Sequence, residues 1–139
     1  MWLDYISDVG DGFDSTYTMA YHLARPNLDV ATLDESKNIY STKQGEILIF
    51  GGDEVYPTAS MQTYNERLLK PYKAAFSQKN AFIPAIFVVP GNHDWYDSLV
   101  SFSRIFCEGL KFFGSKTLQN RSYFALKLIH GWWLFGTDM

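Results

Sequence analysis

Residues 84–94, PAIFVVPGNHD, contain the pattern that decides the fold of this chain. The apolar, β-branched run up to Val89 is typical of a strand buried on both faces, and the Pro-Gly pair that follows ends it in a loop. The polar residues Asn92 and His93 come directly after the glycine. The stretch therefore predicts a buried strand that carries polar side chains at its carboxyl end.

The same arrangement occurs twice earlier in the chain. Residues 2–7, WLDYIS, alternate in the way of a strand, and Asp8 follows them in a loop rich in glycine and aspartate. Residues 46–50, EILIF, have the composition of a second buried strand, which is followed by two glycines and Asp53. Because loops at the carboxyl ends of parallel strands meet at one edge of an open α/β sheet, we expect the three loops to form one cleft.

Helical segments separate the predicted strands. Asp14 or Ser15 stands where a side-chain oxygen can cap the first helix, and Pro71 must break or kink the second one because it has no N–H group to donate. Strands that alternate with helices predict a largely parallel sheet. We predict three helical segments: residues 15–23, 58–78 and 98–107.

Two other segments do not follow this alternation. Residues 25–44 are polar and have no sustained apolar period, so we expect an irregular surface excursion there. Residues 123–129 and 132–135 are typical of two strands joined by a hairpin turn at His130-Gly131. The predicted fold class is thus α/β, with a mostly parallel sheet and a terminal hairpin.

The composition limits the classes of function. The chain has 139 residues, with 12 Lys and Arg against 15 Asp and Glu, so no overall basic field attracts nucleic acid or an anionic membrane. Neither a transmembrane run nor a signal peptide is visible, and the compartment stays open, the cytoplasm included. Cys107 is the single cysteine, which excludes an internal disulfide and a cysteine-built zinc site.

The three loops offer ligands for metal ions. Asp8, Asp53 and Asn92 can each be a turn residue, but together they supply hard oxygen donors that suit divalent ions such as Mg, Mn, Fe(II) or Zn. A pair of such ions about 3.5–4 Å apart can hold a phosphate ester and activate water to attack it. The ions also supply the positive charge that an acidic chain lacks. An acidic chain with such ions could therefore still bind phosphate.

Three motifs resemble those of a known family. The order DVG at 8–10, GGD at 51–53 and GNHD at 91–94, each after a predicted strand, resembles the calcineurin-like metallophosphoesterase superfamily over about residues 2–138. The resemblance implies hydrolysis of a phosphomonoester or phosphodiester at a dinuclear divalent-metal centre. It also implies a four-layer α-β-β-α sandwich, of which this chain resembles the first half.

The resemblance assigns roles to five residues. Asp8 would bind one ion, Asp53 would bridge both ions and Asn92 would bind the second. His93 would contact the phosphate and protonate the leaving oxygen. Asp94 would orient the imidazole ring of His93.

The sequence departs from the family pattern in two respects. Gly10 stands where the family commonly has a ligating histidine, and the tyrosine that serves as a ligand in some members is expected at position 13, where Phe13 offers no oxygen, so that Asp11 or water would have to compensate. The family's later lone histidine and its Gly-His-x-His motif do not occur before Met139. We therefore expect a truncated domain that is inactive alone and leaves one sheet face unburied.

Alternative interpretations stay open from the sequence. The missing ligands favour a second hypothesis, that of a non-catalytic binding or scaffold protein with this fold, or an inactive fragment. Asp14 is expected to cap a helix, and His22 and His130 are expected to be surface or core residues and not ligands. Three aromatic residues that follow the motifs are candidates for either core packing or substrate contact: Tyr56, Trp95 and Tyr96.

Overall fold

The computed structural model describes residues 1–33, 38–77, 82–109, 111–114 and 117–138. Two π-helical turns, Asn65–Leu69 and Ser103–Cys107, and two 3-10 turns, Asp94–Asp97 and Ile129–Gly131, complement the regular elements. In chain order those elements are β1 (Leu3–Ile6), α1 (Phe13–Leu23), β2 (Asn27–Ala31), β3 (Ile39–Lys43), β4 (Ile47–Phe50), α2 (Met61–Tyr64), α3 (Lys70–Ala75), β5 (Ala85–Val88), α4 (Val100–Phe102), β6 (Phe124–Lys127) and β7 (Trp133–Gly136).

A three-stranded parallel sheet forms the centre of the fold. Its order is β1-β4-β5, and the register aligns Ile6 with Phe50 and Phe50 with Val88. This row faces the helices and is buried, as β-branched and aromatic residues on a covered sheet face should be. The predicted α/β class and the three predicted parallel strands are confirmed, although β1 is buried at Ile6 alone.

The opposite face of the parallel sheet is covered only in part. The antiparallel hairpin of β6 and β7 packs over it, with the rings of Phe87 and Phe124 5.1 Å apart. Tyr5, which lies on this face in β1, is nevertheless 63% exposed. The residues aligned with it in β4 and β5 are buried, so among the described residues this face is open only along β1 and not over its whole width, as had been expected. The predicted turn is also present, because His130 and Gly131 both have positive φ angles, 57° and 79°.

The main core lies between the sheet and the helices and is rich in aromatic rings. The ring of Phe50 in β4 lies 5.2 Å from that of Tyr72 in α3 and 5.6 Å from that of Phe112. Tilted and edge-on contacts of this kind bury large areas and fix the helices on the sheet. The core therefore holds β1, β4 and β5 rigidly, and with them the loops at their carboxyl ends.

Two local predictions were wrong. Residues 25–44 include an antiparallel pair, β2 and β3, whose side chains are mostly exposed on both faces, so that no apolar period marks the strands. Residues 34–37 of this segment lie outside the described part of the chain. The first helix begins at Phe13 with Gly12 as its N-cap, which places Asp14 and Ser15 inside the first turn and not at the cap.

The second helix passes through Pro71 without breaking. The backbone stays helical from α2 through the π-helical turn Asn65–Leu69 into α3, where Pro71 lies in the first turn. In an α-helix the carbonyl of Arg67 would accept from the N–H of residue 71, which proline lacks. The wider π turn comes just before this position and accommodates the missing donor, so the predicted kink takes the form of a π turn.

Candidate metal centre

The loops after β1 and β4 lie side by side at the carboxyl edge of the sheet. We call residues 7–12 the first loop and residues 51–57 the second loop. The N–H of Asp8 donates to the carbonyl of Gly52 at 3.0 Å, and the N–H of Val9 donates to the backbone carbonyl of Asp53 at 3.1 Å. In return, the N–H of Tyr56 donates to the carbonyl of Gly10 at 3.2 Å. The predicted convergence of these two loops is present.

Asp8 and Asp53 have matching backbone conformations at their strand ends. Their φ angles are 56° and 54°, in the left-handed region that a non-glycine residue adopts only seldom. Aspartate tolerates this region better than most residues, and such conformations cluster at functional sites. The two turns bring both carboxylates to the same hydroxyl group, that of Tyr56.

The Tyr56 hydroxyl lies between the two carboxylates. Its oxygen is 3.0 Å from Asp8 Oδ1 and 2.9 Å from Asp53 Oδ2. A phenol has a single proton, so it can donate to only one of the two carboxylates at a time. Three oxygen atoms of two acidic residues and one phenol thus share one small volume, an arrangement whose hard donors suit a divalent cation.

These contacts shift the pKa values in the metal-free protein. Hydrogen bonds from Ser7 and Tyr56 lower the pKa of the Asp8 carboxyl below its ordinary value. Burial raises the pKa of the Tyr56 hydroxyl, and its hydrogen bonds to Asp53 and Asp8 raise it further. Without a metal ion, these shifts favour an ionised Asp8 carboxylate beside a phenol that keeps its proton.

The phenol that lies beside Asp8 does not come from position 13. Phe13 begins α1 and is 45% exposed, whereas the phenol beside Asp8 belongs to Tyr56 in the second loop. The oxygen that position 13 cannot offer is thus present on another loop. The sequence did indicate Tyr56 as a candidate for this oxygen, because Tyr56 follows Asp53 by three residues in a loop already assigned to the site.

The third loop, residues 89–97, is joined to the second loop by a buried carboxylate. Asp94 Oδ2 accepts from the N–H of Gly91 at 2.8 Å, of Asp53 at 2.9 Å and of Glu54 at 3.3 Å. Its Oδ1 accepts from the hydroxyl of Tyr64, the last residue of α2. Asp94 is fully buried, so these bonds form in a medium of low dielectric constant, where they are strong.

His93 is held by the carboxylate of Asp53 and the carbonyl of Pro57, and not by Asp94. Its N–H donates to Asp53 Oδ1 at 2.9 Å, and its ring Nδ1 lies 2.7 Å from the carbonyl oxygen of Pro57. Because a carbonyl only accepts, Nδ1 must carry a proton and Nε2 is left to act on a ligand. In the structure, the carbonyl of Pro57 therefore orients the imidazole ring of His93, which is the role that the resemblance implied for Asp94. The ring packs between Tyr56 and Tyr96, at 4.4 and 4.9 Å.

Asn92 lies between Gly91 and His93 on this loop, and its side chain is exposed. Gly91 itself is required for the close approach of the loops: a Cβ added there would lie 2.1 Å from Asp53 Oδ1 and 2.3 Å from the nitrogen of Asp53. The donor chemistry of the first and second loops fits a cation bound at Asp53. Asn92 is placed on the same edge of the sheet.

Gly10 cannot be replaced by a ligating side chain in this conformation. Its φ is 74°, and a Cβ there would lie 2.1 Å from the carbonyl oxygen of Glu54. The close contact between the first and second loops therefore leaves no room for a histidine at this position. Asp11 is exposed at the edge of the first loop, and nothing in the geometry selects or excludes it as a ligand.

Glu54 is a buried acid that the sequence analysis did not single out. Its Oε1 accepts from the N–H of Gly52 at 3.0 Å, and the residue is fully buried. Burial raises the pKa of this carboxyl well above its usual range, and the neighbouring charge of Asp94 raises it further. Burial thus favours the neutral form of Glu54 in the second loop.

The remaining candidates lie at the margin of the site or away from it. His22 and His130 are both exposed, the former in α1 and the latter in the β6–β7 turn. Trp95 donates through Nε1 to Asp138 Oδ1 at 3.3 Å. Within the ranges that the structure describes, no cluster of three or more His, Cys, Asp or Glu side chains is placed to hold a metal ion, and no helix is long and apolar enough to cross a membrane.

Comparison with known proteins identifies the family. The sequence model of the calcineurin-like phosphoesterase family matches residues 1–135. No curated protein and no solved structure gives a significant match to the chain. The match covers nearly all of the chain, including the three loops and the parallel sheet that positions them. The chain therefore belongs to the calcineurin-like phosphoesterase family.

Proposed function

We propose that this chain provides part of a dinuclear metal centre that hydrolyses a phosphate ester, either a monoester or a diester. The observation that carries the proposal is the sharing of one phenolic oxygen by Asp8 and Asp53 beside the ring of His93. Two divalent ions, when bound, would activate a water molecule and stabilise the charge of an in-line displacement. Manganese, iron, zinc and magnesium all suit the donors.

The donors are assigned as follows. Asp8 would hold the first ion, Asp53 would be shared by the two ions, and Asn92 would hold the second. Tyr56 is an additional oxygen donor beside Asp8, which replaces the ligand that Gly10 cannot supply. Family membership supports the use of divalent metals in general and the assignment of Asn92, and the geometry of the first and second loops supports Asp8, Asp53 and Tyr56.

His93 is the proton donor in this proposal. The Pro57 carbonyl fixes the proton on Nδ1 and directs Nε2 away from the backbone. When the imidazole is protonated, Nε2 can give its proton to the leaving oxygen as a general acid. Asp94 has no direct part in this proton transfer. Its carboxylate holds the second and third loops together.

The ligand set within these residues is incomplete. Asp8, Asp53, Tyr56 and Asn92 offer a few oxygen ligands, whereas two divalent ions need roughly twice as many, since each takes four to six ligands. The proposal therefore requires further ligands from outside the described residues, such as the later histidines that the resemblance implies. We expect the 139-residue chain alone to bind metal weakly and to turn over little or no substrate.

The test is metal-dependent hydrolysis by the full-length gene product. We expect it to hydrolyse p-nitrophenyl phosphate or bis(p-nitrophenyl) phosphate after addition of Mn²⁺, and to lose the activity in Asp53→Asn. Asp14→Asn is the matched control, because Asp14 is an exposed carboxylate in the first turn of α1. Equal hydrolysis by Asp53→Asn, or hydrolysis that persists in a chelator, would contradict the proposal.

A second candidate is a non-catalytic binding or scaffold protein of the same family. The geometry at Gly10 favours it, since the first loop excludes a histidine ligand at that position. The same assay separates the candidates: a full-length protein that binds Mn²⁺ stoichiometrically but hydrolyses neither aryl phosphate supports the non-catalytic one.

A further inference from the structure

We propose that Arg67 is a positioning residue for the metal centre: its guanidinium ties the first loop to the second loop and so sets the spacing of Asp8 and Asp53. This inference rests on the proposed function, because it concerns the same site. Arg67 lies behind the loops, in the π-helical turn Asn65–Leu69, and has no part in the motifs that marked the site in the sequence.

The contacts of Arg67 join the two loops directly. Its Nη1 donates to the carbonyl oxygen of Asp11 at 3.0 Å and to that of Tyr56 at 2.8 Å. Asp11 follows Asp8 by three residues, and Tyr56 follows Asp53 by three residues. Nη1, which carries two hydrogens, therefore donates to both the first loop and the second loop, in each case three residues after the aspartate. The positive charge of the guanidinium strengthens both hydrogen bonds.

The helix that carries Arg67 also contacts the third loop. Tyr64 precedes Arg67 by three residues, and its hydroxyl donates to Asp94, which holds the N–H groups of Gly91 and Asp53. Residues three apart on a helix lie on neighbouring parts of its surface. A single stretch of helix thus supports all three loops of the proposed site.

The π turn is part of this arrangement. The N–H of Lys70 donates to the carbonyl of Asn65, five residues earlier, and Pro71 prevents the ordinary α-helical bond to the carbonyl of Arg67. Turns of this kind are frequent at functional sites because they change the direction of a side chain within a helix. Among the described residues, Arg67 forms no ion pair. Its guanidinium donates to the two backbone carbonyl groups instead.

The inference is tested with two replacements that separate hydrogen bonding from packing. Arg67→Met keeps an unbranched apolar stem and removes every donor. Arg67→Lys keeps a charged nitrogen with enough hydrogens for both carbonyls, because both bonds come from one atom in the native residue. The matched control is Arg104→Met, since Arg104 is an exposed arginine in the other π-helical turn, Ser103–Cys107.

Mn²⁺ binding is measured by the electron paramagnetic resonance signal of the free ion, and the unfolding midpoint of each variant by circular dichroism. We expect Arg67→Met to bind Mn²⁺ about tenfold more weakly than Arg104→Met, as is usual for the loss of an outer-shell partner. Arg67→Lys should recover most of the affinity. Equal losses in Arg67→Lys and Arg67→Met, or a loss in Arg67→Met that merely follows a fall in unfolding midpoint, would overturn the inference in favour of packing.

Hydrogen exchange in a chelator separates this inference from the proposed function. Arg67→Met should exchange the amides of residues 8–9 and 56 at least tenfold faster than Arg104→Met, because these amides bridge the first and second loops. Unchanged exchange would overturn the positioning role even if Mn²⁺ binds. A wild-type chain that binds no Mn²⁺ but shows the expected exchange would overturn the proposed metal site and leave the loop contact supported.

Discussion

Replacement of Gly91 by alanine should separate the second loop from the third loop. The added Cβ would lie 2.3 Å from the backbone nitrogen of Asp53 and 2.1 Å from its Oδ1, whereas ordinary contacts begin near 3.4 Å. The nearest atoms belong to backbone and to a carboxylate held by the N–H of His93, so they cannot rotate away cheaply. The two loops must therefore move apart by about 1 Å.

Such a movement breaks identifiable hydrogen bonds. It stretches the bond from the N–H of Asp53 to Asp94 and the bond from the N–H of His93 to Asp53, each of which is 2.9 Å long and joins the second loop to the third. Each has a carboxylate acceptor and contributes about 1.5–3 kcal/mol. We expect Gly91→Ala to lower the free energy of unfolding by about 3–6 kcal/mol, a large part of the roughly 5–15 kcal/mol of a typical domain.

Urea unfolding followed by circular dichroism measures this loss. Gly12→Ala is the matched control, because the nearest atom to a Cβ there is Ser15 Oγ at 3.7 Å, and an alanine N-cap costs at most about 1 kcal/mol. If Gly91→Ala is no less stable than Gly12→Ala, the close approach of the second and third loops is not what holds the site together, and the reasoning fails.

Two further substitutions test the polar groups of the site. Tyr56→Phe removes the oxygen between Asp8 and Asp53 and should weaken Mn²⁺ binding about tenfold relative to Tyr96→Phe, as measured by titration; equal affinities would contradict the assigned donor. Glu54→Gln should make the metal-free protein more stable at pH 7 than the wild type, because burial keeps the folded-state pKa of Glu54 above the ordinary value of 4.5. The folded wild type then retains a proton that the unfolded chain releases, so its unfolding free energy falls by about 1.4 kcal/mol per pH unit above pH 4.5, until the folded-state pKa is reached. Urea unfolding in a chelator at pH 5 and pH 7 should show this slope in the wild type and less of it in Glu54→Gln; the same slope in both proteins would refute the assignment.

The main sheet could be predicted because its strands are buried on the helix side. β4 and β5 are short apolar runs ended by glycine or proline, and burial is what such runs require. β2 and β3 left no comparable signal, since their side chains face solvent and their pairing depends on backbone hydrogen bonds. The start of α1 was misplaced by two residues because Gly12 caps it without a side chain.

Only the residues of the site that directly follow a strand could be predicted from the sequence. The positions of Asp8 and Asp53 follow from the parallel sheet, which brings their loops to one edge. The positions of the Tyr56 hydroxyl and the Arg67 guanidinium depend on how loops and a helix pack in three dimensions. Contacts of side chains with distant backbone groups leave no periodic pattern, and the ring partner of His93 was missed for this reason.

The central claim is that the loops of this family fold build a divalent-cation site around Asp53. Titration of the 139-residue chain with Mn²⁺, followed by the resonance of the free ion, tests it most directly. We expect weak, saturable binding by the wild type and by Asp14→Asn, and none by Asp53→Asn. Binding that survives in Asp53→Asn, or no saturable binding by the wild type, would contradict the claim.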